Sequence, residues 1–220
     1  MIDYTKEGDL HLVTMNAGPN VICPQWQQRM LDILDQVEVD CGQGVALILA
    51  GEGKFFCNGL NLEVVSQLDA AGMQLFASRM AEIHKRFLVL PCPTVAAMNG
   101  HAFAAGAFLA LSLDYRIMRE DRGWFCVSEV DVGVPIPPSM MGILRGKLPA
   151  NTVRDAVLTG ERYTADEAMA AGIADGRASM EELLDQAKIL AGQLATKEPG
   201  IFKTLKQTLF GPMADALVAS

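Results

Sequence analysis

The sequence predicts an α/β fold, with a sheet core in the first two thirds and a helical C-terminal region after it. Three observations carry this. Short apolar runs at residues 10–15, 45–50 and 94–98 alternate with stretches of helical periodicity. Proline clusters at residues 91–93 and 135–138 break the chain, because proline cannot continue a helix and restricts the residue before it. From Ser139 onward the pattern is almost wholly helical.

Each element follows in order. Residues 10–15 form a short β-rich run, and residues 45–50 are continuously apolar and bounded by glycines, as a strand covered on both faces would be. Between them Trp26, Met30, Ile33, Leu34 and Val37 recur at helical spacing within residues 24–39. A second helical pattern at residues 68–90 stops at Pro91-Cys92-Pro93, and residues 94–98 restart as a strand. After Asn99-Gly100 the small-residue run 102–113 reads as a buried helix, followed by strands at 115–118 and 124–130. Thr164 and Glu167 form a capping box that opens a helix over residues 164–171, and residues 179–209 read as a long amphipathic helical pair. No repeat or linker divides the chain, so residues 1–220 read as a single domain, with a core over about 1–135 and a helical region over about 139–220.

A formal charge of −8, with Lys and Arg scattered, argues against a nucleic-acid or anionic-membrane partner, since a phosphate surface repels a net acidic face. Five cysteines, Cys23, Cys41, Cys57, Cys92 and Cys126, are widely spaced without metal-ligand spacing, and read as buried thiols of a reducing compartment. No metal site is expected. The polar start of the chain predicts no signal peptide, and the apolar stretch 94–113 is interrupted by Asn99, Gly100, His101 and Gly106, which suits a strand, turn and helix better than a membrane span.

Three segments could carry chemistry. In residues 51–62, Gly59 permits a tight turn that frees the following amide, that of Leu60, to point into a cavity; alone, the segment reads better as a turn without a ligand. In the second, Asn99-Gly100 ends a strand and Ala104-Ala105-Gly106 opens a helix, whose first amides have no internal partners and can donate to a developing negative charge. Close helix-to-sheet packing explains those small residues as well. In the third, residues 125–133, a regular strand would place Glu129 and Asp131 on one face, opposite Val130 and Val132. A carboxylate among apolar neighbours acquires a raised pKa suited to proton transfer near neutrality, although solvated acids on an exposed edge are the commoner arrangement.

Taken together, these segments resemble the crotonase (enoyl-CoA hydratase/isomerase) superfamily, over residues 5 to 210 and most strongly from Gly51 to Gly133. Asn99-Gly100-His101-Ala102, Asp114-Tyr115, Met118-Arg119, Asp121-Arg122-Gly123 and Ser128-Glu129-Val130-Asp131-Val132-Gly133 are most similar to the small peroxisomal-type Δ3,Δ2-enoyl-CoA isomerases. The resemblance implies a spiral core of ββα units and an acyl-CoA substrate of fatty-acid β-oxidation, with coenzyme A present only as part of the thioester. It implies oxyanion-hole amides on Leu60 and Ala105, a catalytic Glu129, and substrate contacts from Phe56, Asn58, Gly59, Gly106 and Phe108. Glycine is usual in the family where Ala105 stands, and either residue keeps the amide. Hydratases of the family carry two glutamates; here one of those positions is Phe108 and the other Glu129, which leaves a single base, sufficient for isomerisation.

Other crotonase chemistries, namely hydration, thioester hydrolysis or decarboxylation, are the alternatives, as is a non-catalytic acyl-CoA-binding member. Asn61, where the family often has Asp, is expected to cap a helix; His101 is expected to pack or hydrogen-bond, and Cys57 to be a buried thiol. The resemblance further implies a homotrimer or a pair of trimers, and CoA phosphates reaching Lys54, Lys203 or Lys206. The terminal Ala-Leu-Val-Ala-Ser lacks a Ser-Lys-Leu-type address, so a cytoplasmic location is expected.

Overall fold

The structure is a computed structural model that describes residues 2–219. Strands β1 (Ile2–Glu7) and β2 (Leu10–Met15) form an antiparallel hairpin, and helix α1 (Pro24–Asp40), begun by a proline, buries Trp26, Met30, Ile33, Leu34 and Val37 on one face. The chain then runs through β3 (Ala46–Gly51), β4 (Phe55–Cys57), α2 (Leu62–Val65) and α3 (Ala70–Val89). Next come β5 (Thr94–Met98), β6 (His101–Phe103) and α4 (Ala105–Ser112), followed by β7 (Tyr115–Arg119), β8 (Phe125–Cys126) and α5 (Glu129–Val132). The remainder comprises α6 (Pro138–Lys147), α7 (Ala150–Thr159), α8 (Ala165–Ala170), β9 (Gly176–Ala178), α9 (Leu183–Ala195) and α10 (Pro199–Val218).

The strands divide between a six-stranded sheet of order β1-β2-β3-β5-β7-β9 and a three-stranded parallel sheet of order β4-β6-β8. Apart from the β1/β2 hairpin, the larger sheet is parallel. After the β1/β2 hairpin and α1, the pairs β3/β4, β5/β6 and β7/β8 each contribute one strand to each sheet before a helix carries the chain onward, which is the spiral the resemblance implies. Strand β3 explains why its sequence is continuously apolar: Ala46, Ile48 and Ala50 pack toward Leu183, Ala187 and Ala191 of α9, while Leu47 and Leu49 face the main core.

Four local expectations need correction. Residues 102–113 are not one helix, because His101–Phe103 pair in the small sheet before α4 begins. Residues 124–130 are not one strand: pairing ends at Cys126, and Glu129–Val132 is a helical turn between Ser128 and left-handed Gly133. Strand β9 interrupts the C-terminal helices, adding a three-residue edge beside β7. Strand β1 went unread because it is an edge strand whose residues, Ile2 apart, are largely solvated and show little apolar alternation. The Thr164 and Glu167 capping box is present, with the Thr164 amide donating to the Glu167 carboxylate at 2.8 Å. Among the described residues no helix is long and apolar enough to cross a membrane.

Candidate active site

Strand-like pairing positions the first amide. The Ile22 amide donates to the Gly59 carbonyl at 2.8 Å, and the Asn61 amide donates to the Ile22 carbonyl at 2.8 Å. Leu60 lies between these two bonded groups, so its own N–H turns to the side away from Ile22. Asn61 then ends the turn as the N-cap of α2, its side-chain oxygen accepting from the Val64 amide.

The second amide belongs to Ala105, the first residue of α4, which has no intrahelical acceptor. A side chain built on Gly59 would come within 3.6 Å of the Ala105 nitrogen, so the two segments touch where the amides emerge. Gly106 permits this approach, since a β-carbon there would collide with the Cys57 carbonyl. Asn99 braces the same region by donating to the Gly53 carbonyl at 3.1 Å, which gives Asn99-Gly100 a structural role.

The turn into α4 stores strain. Ala104 adopts φ 49° and ψ −121°, a conformation that favours glycine. Strain of about 1–3 kcal/mol is expected there, against roughly 0.4–1 kcal/mol of added unfolded-state freedom when glycine replaces alanine. Ala104→Gly is therefore expected to stabilise the fold by about 1 kcal/mol, raising the melting temperature by about 2–4 °C. An unchanged or lower melting temperature in calorimetry would refute the strain.

Leu60 and Ala105 line a cavity of about 570 Å³ together with Phe108 and Glu129. Its walls come from α3, the chain from Val134 to Pro137, Met140, and the end of α10 at Leu217 and Val218. Sequence reasoning missed these wall residues, and only the periodicity of α3 signalled that one of its faces was apolar. Among the described residues, Glu129 is the sole acidic side chain on the cavity wall. Burial raises its pKa, with its own backbone amide opposing in part, and its Oε2 is buried without a hydrogen-bond partner.

Asp131 does not share this position. In helical α5, residues two apart point to nearly opposite sides, and Asp131 is exposed, its carboxylate lying against Gly160. Of the residues assigned to substrate contact, Phe108 lines the cavity. Phe56, Asn58, Gly59 and Gly106 do not: Phe56 is in the core, and the two glycines permit the chain crossings that shape the wall. Cys57 is fully buried and its thiol is pushed up to about 12, which leaves it inert. His101 packs its ring within 5.3 Å of Phe55, Phe103 and Trp124, away from the cavity wall. All five cysteines are free thiols.

A ββα spiral that brings two backbone amides and a buried carboxylate to one apolar cavity defines a class of enzyme able to stabilise an oxyanion beside a base. A family model described as Enoyl-CoA hydratase/isomerase matches residues 5–220. Enoyl-CoA delta isomerase 3 of Arabidopsis thaliana is 34% identical over 96% of this chain and 92% of its own length. A carnitinyl-CoA dehydratase of Proteus mirabilis is 32% identical over 92% of this chain and 77% of its own. Among solved structures, an enoyl-CoA hydratase from Mycobacterium marinum superposes with a TM-score of 0.90 at 27% identity, covering 99% of this chain and 95% of that one. An enoyl-CoA isomerase from Mtb gives 0.91 at 26% identity, covering 99% and 94%. The chain belongs to the enoyl-CoA hydratase/isomerase family of the crotonase superfamily, close to the peroxisomal-type isomerases, and is an acyl-CoA enzyme of that fold.

Proposed function

We propose that this enzyme is a Δ3,Δ2-enoyl-CoA isomerase in which Glu129 moves a proton from C2 to C4 of a 3-enoyl thioester. One observation carries the reading: among the described residues Glu129 is the only carboxylate on a largely apolar cavity wall that also holds Leu60 and Ala105, and Phe108, which stands where a hydratase of the family has its second glutamate, lines the same wall. The thioester oxygen accepts from the Leu60 and Ala105 amides as C2 loses its proton to Glu129. The dienolate then takes the proton back at C4, giving the conjugated 2-enoyl product. Donors of this kind each lower such a barrier by about 3–4 kcal/mol. A raised Glu129 pKa makes it a stronger base for this transfer.

The resemblance of the chain to the Arabidopsis isomerases supports this reading, and the dehydratase relatives supply the alternative. A product-resolved assay on 3-hexenoyl-CoA, 2-hexenoyl-CoA and 3-hydroxyhexanoyl-CoA separates them: interconversion of the two enoyl thioesters without hydroxyacyl product is expected, and hydration as the main reaction would overturn the isomerase. Phe108→Glu is expected to admit trace hydration while lowering stability, because a new charge replaces a ring that is 3% exposed.

Assembly as a trimer or a pair of trimers accompanies this proposal. Ile201, Leu205 and Leu209 make an exposed apolar line at helical spacing along α10, a face suited to a symmetric partner, and light scattering is its test. For the CoA phosphates, Lys54 and Lys203 are exposed and remain candidates, whereas Lys206 is buried and engaged elsewhere.

A further inference from the structure

Met73, Ala77, Ala81 and His84 of α3 are spaced by four, four and three residues, share one face of the helix, and all line the cavity. That face runs from exposed Met73 and Ala77, through half-buried Ala81, to His84, which is 1% exposed. His84 thus stands at the closed end of an otherwise apolar stripe. The remaining polar side chains of α3 on the wall, Gln74 and Ser78, are exposed at its open end.

His84 is held from one edge of its ring. Nδ1 lies 2.8 Å from the hydroxyl of Ser112, at the last turn of α4, and Ser112 donates to the Phe108 carbonyl at 2.9 Å. On the other edge, Nε2 is buried without a hydrogen-bond partner. Burial lowers the His84 pKa to about 4, so the ring is neutral near pH 7 and carries one donor and one acceptor nitrogen. With the Ser112 hydrogen committed to Phe108, Nδ1 donates and Nε2 is left as an acceptor; in the opposite tautomer Nε2 is a donor. Both leave a buried polar atom on a side chain that lines the cavity, and an all-hydrocarbon chain cannot satisfy it.

We propose, resting on the assignment of this cavity as the acyl pocket, that His84 is a specificity determinant whose Nε2 binds a hydroxyl carried on the acyl chain beyond the reacting carbons. A hydroxyl both donates and accepts, so it satisfies either tautomer. Ala105 and Ser112 lie seven residues apart on α4, so roughly 10 Å of helix separates the amide assigned to the thioester oxygen from the residue that holds His84. The hydroxyl therefore belongs on the distal part of a medium-length chain and not at the carbons that react.

Isothermal titration calorimetry with saturated thioesters tests this without turnover, comparing decanoyl-CoA with ω-hydroxydecanoyl-CoA and with isomers whose hydroxyl lies at successive inner positions. At least one hydroxylated thioester is expected to bind about tenfold more tightly than decanoyl-CoA. The gain is expected to vanish in His84→Leu, which still binds decanoyl-CoA. In the wild-type protein, the Nε2 nitrogen resonance of His84 is expected to move with that hydroxylated thioester and not with decanoyl-CoA, a measurement independent of whether the variant folds. Equal wild-type affinity for all thioesters, an unmoved Nε2 resonance, or a gain retained in His84→Leu overturns the hydroxyl subsite while leaving the acyl pocket intact. Failure to bind any of them overturns the acyl pocket itself.

Discussion

Glu129→Gln is expected to lower isomerase turnover about a hundredfold or more, the scale of losing a positioned general base. Glutamine preserves the size of the side chain and one acceptor oxygen, so the cavity and thioester binding should survive. Stability provides an independent check. Burial raises the folded-state pKa of Glu129 above its ordinary 4.5, so the protonated form is the one the fold favours, and the stability it contributes is lost as pH rises through the folded value. Glutamine cannot ionise, and at neutral pH the variant should melt no lower than wild type. The acid limb of the wild-type kcat/KM profile should also fall above 4.5, since the base must be deprotonated to act. Asp131→Asn, at an exposed position against Gly160, should leave turnover near wild type. A nearly fully active Glu129→Gln beside an inactive Asp131→Asn would reassign the base.

Lys206→Ala is expected to cost about 3–5 kcal/mol of folding stability, because it strands a buried partner charge. The Lys206 side chain is 3% exposed, and its ammonium lies 2.7 Å from Asp114 Oδ2 and donates to the Cys92 carbonyl at 3.1 Å. Asp114 also accepts from the Thr94 amide and hydroxyl at 2.9 and 3.0 Å, so the pair ties α10 to the start of β5. Replacing both partners, as in Asp114→Asn with Lys206→Met, should cost less than Lys206→Ala alone, since no unpaired charge remains. Urea unfolding of these two variants and of the wild-type protein measures the difference. A Lys206→Ala protein as stable as wild type, but impaired in binding CoA, would return this lysine to the phosphate site.

How legible the molecule was depended on how local each signal is. Strands β2, β3 and β5 were readable because burial on one or both faces imposes apolar runs of the right length, and α1 because its five buried apolar residues repeat at helical spacing. The order of Leu60, Ala105 and Glu129 along the chain was readable through family resemblance, and the structure brings all three to one cavity. The conformation at Glu129 was misread because Glu-Val-Asp-Val alternates as a strand does, and nothing in that period reveals that Ser128 and left-handed Gly133 bracket a helical turn. The consequence was chemical, since a strand would have paired two carboxylates on one face and the helix separates them.

By itself, then, the sequence determined the alternation of strands and helices, the capping box at Thr164 and the small residues that let chain segments cross, because each depends on neighbours a few positions away. Only the tertiary structure decided that Lys206 is bound to Asp114, 92 positions distant, and unavailable to a phosphate. It alone placed His84 against Ser112, 28 positions away, at the closed end of the cavity. The physical reason is common to these cases: burial and hydrogen-bond satisfaction belong to three-dimensional neighbourhoods, so a lysine, a histidine or a carboxylate acquires its chemistry from groups that local periodicity does not encode.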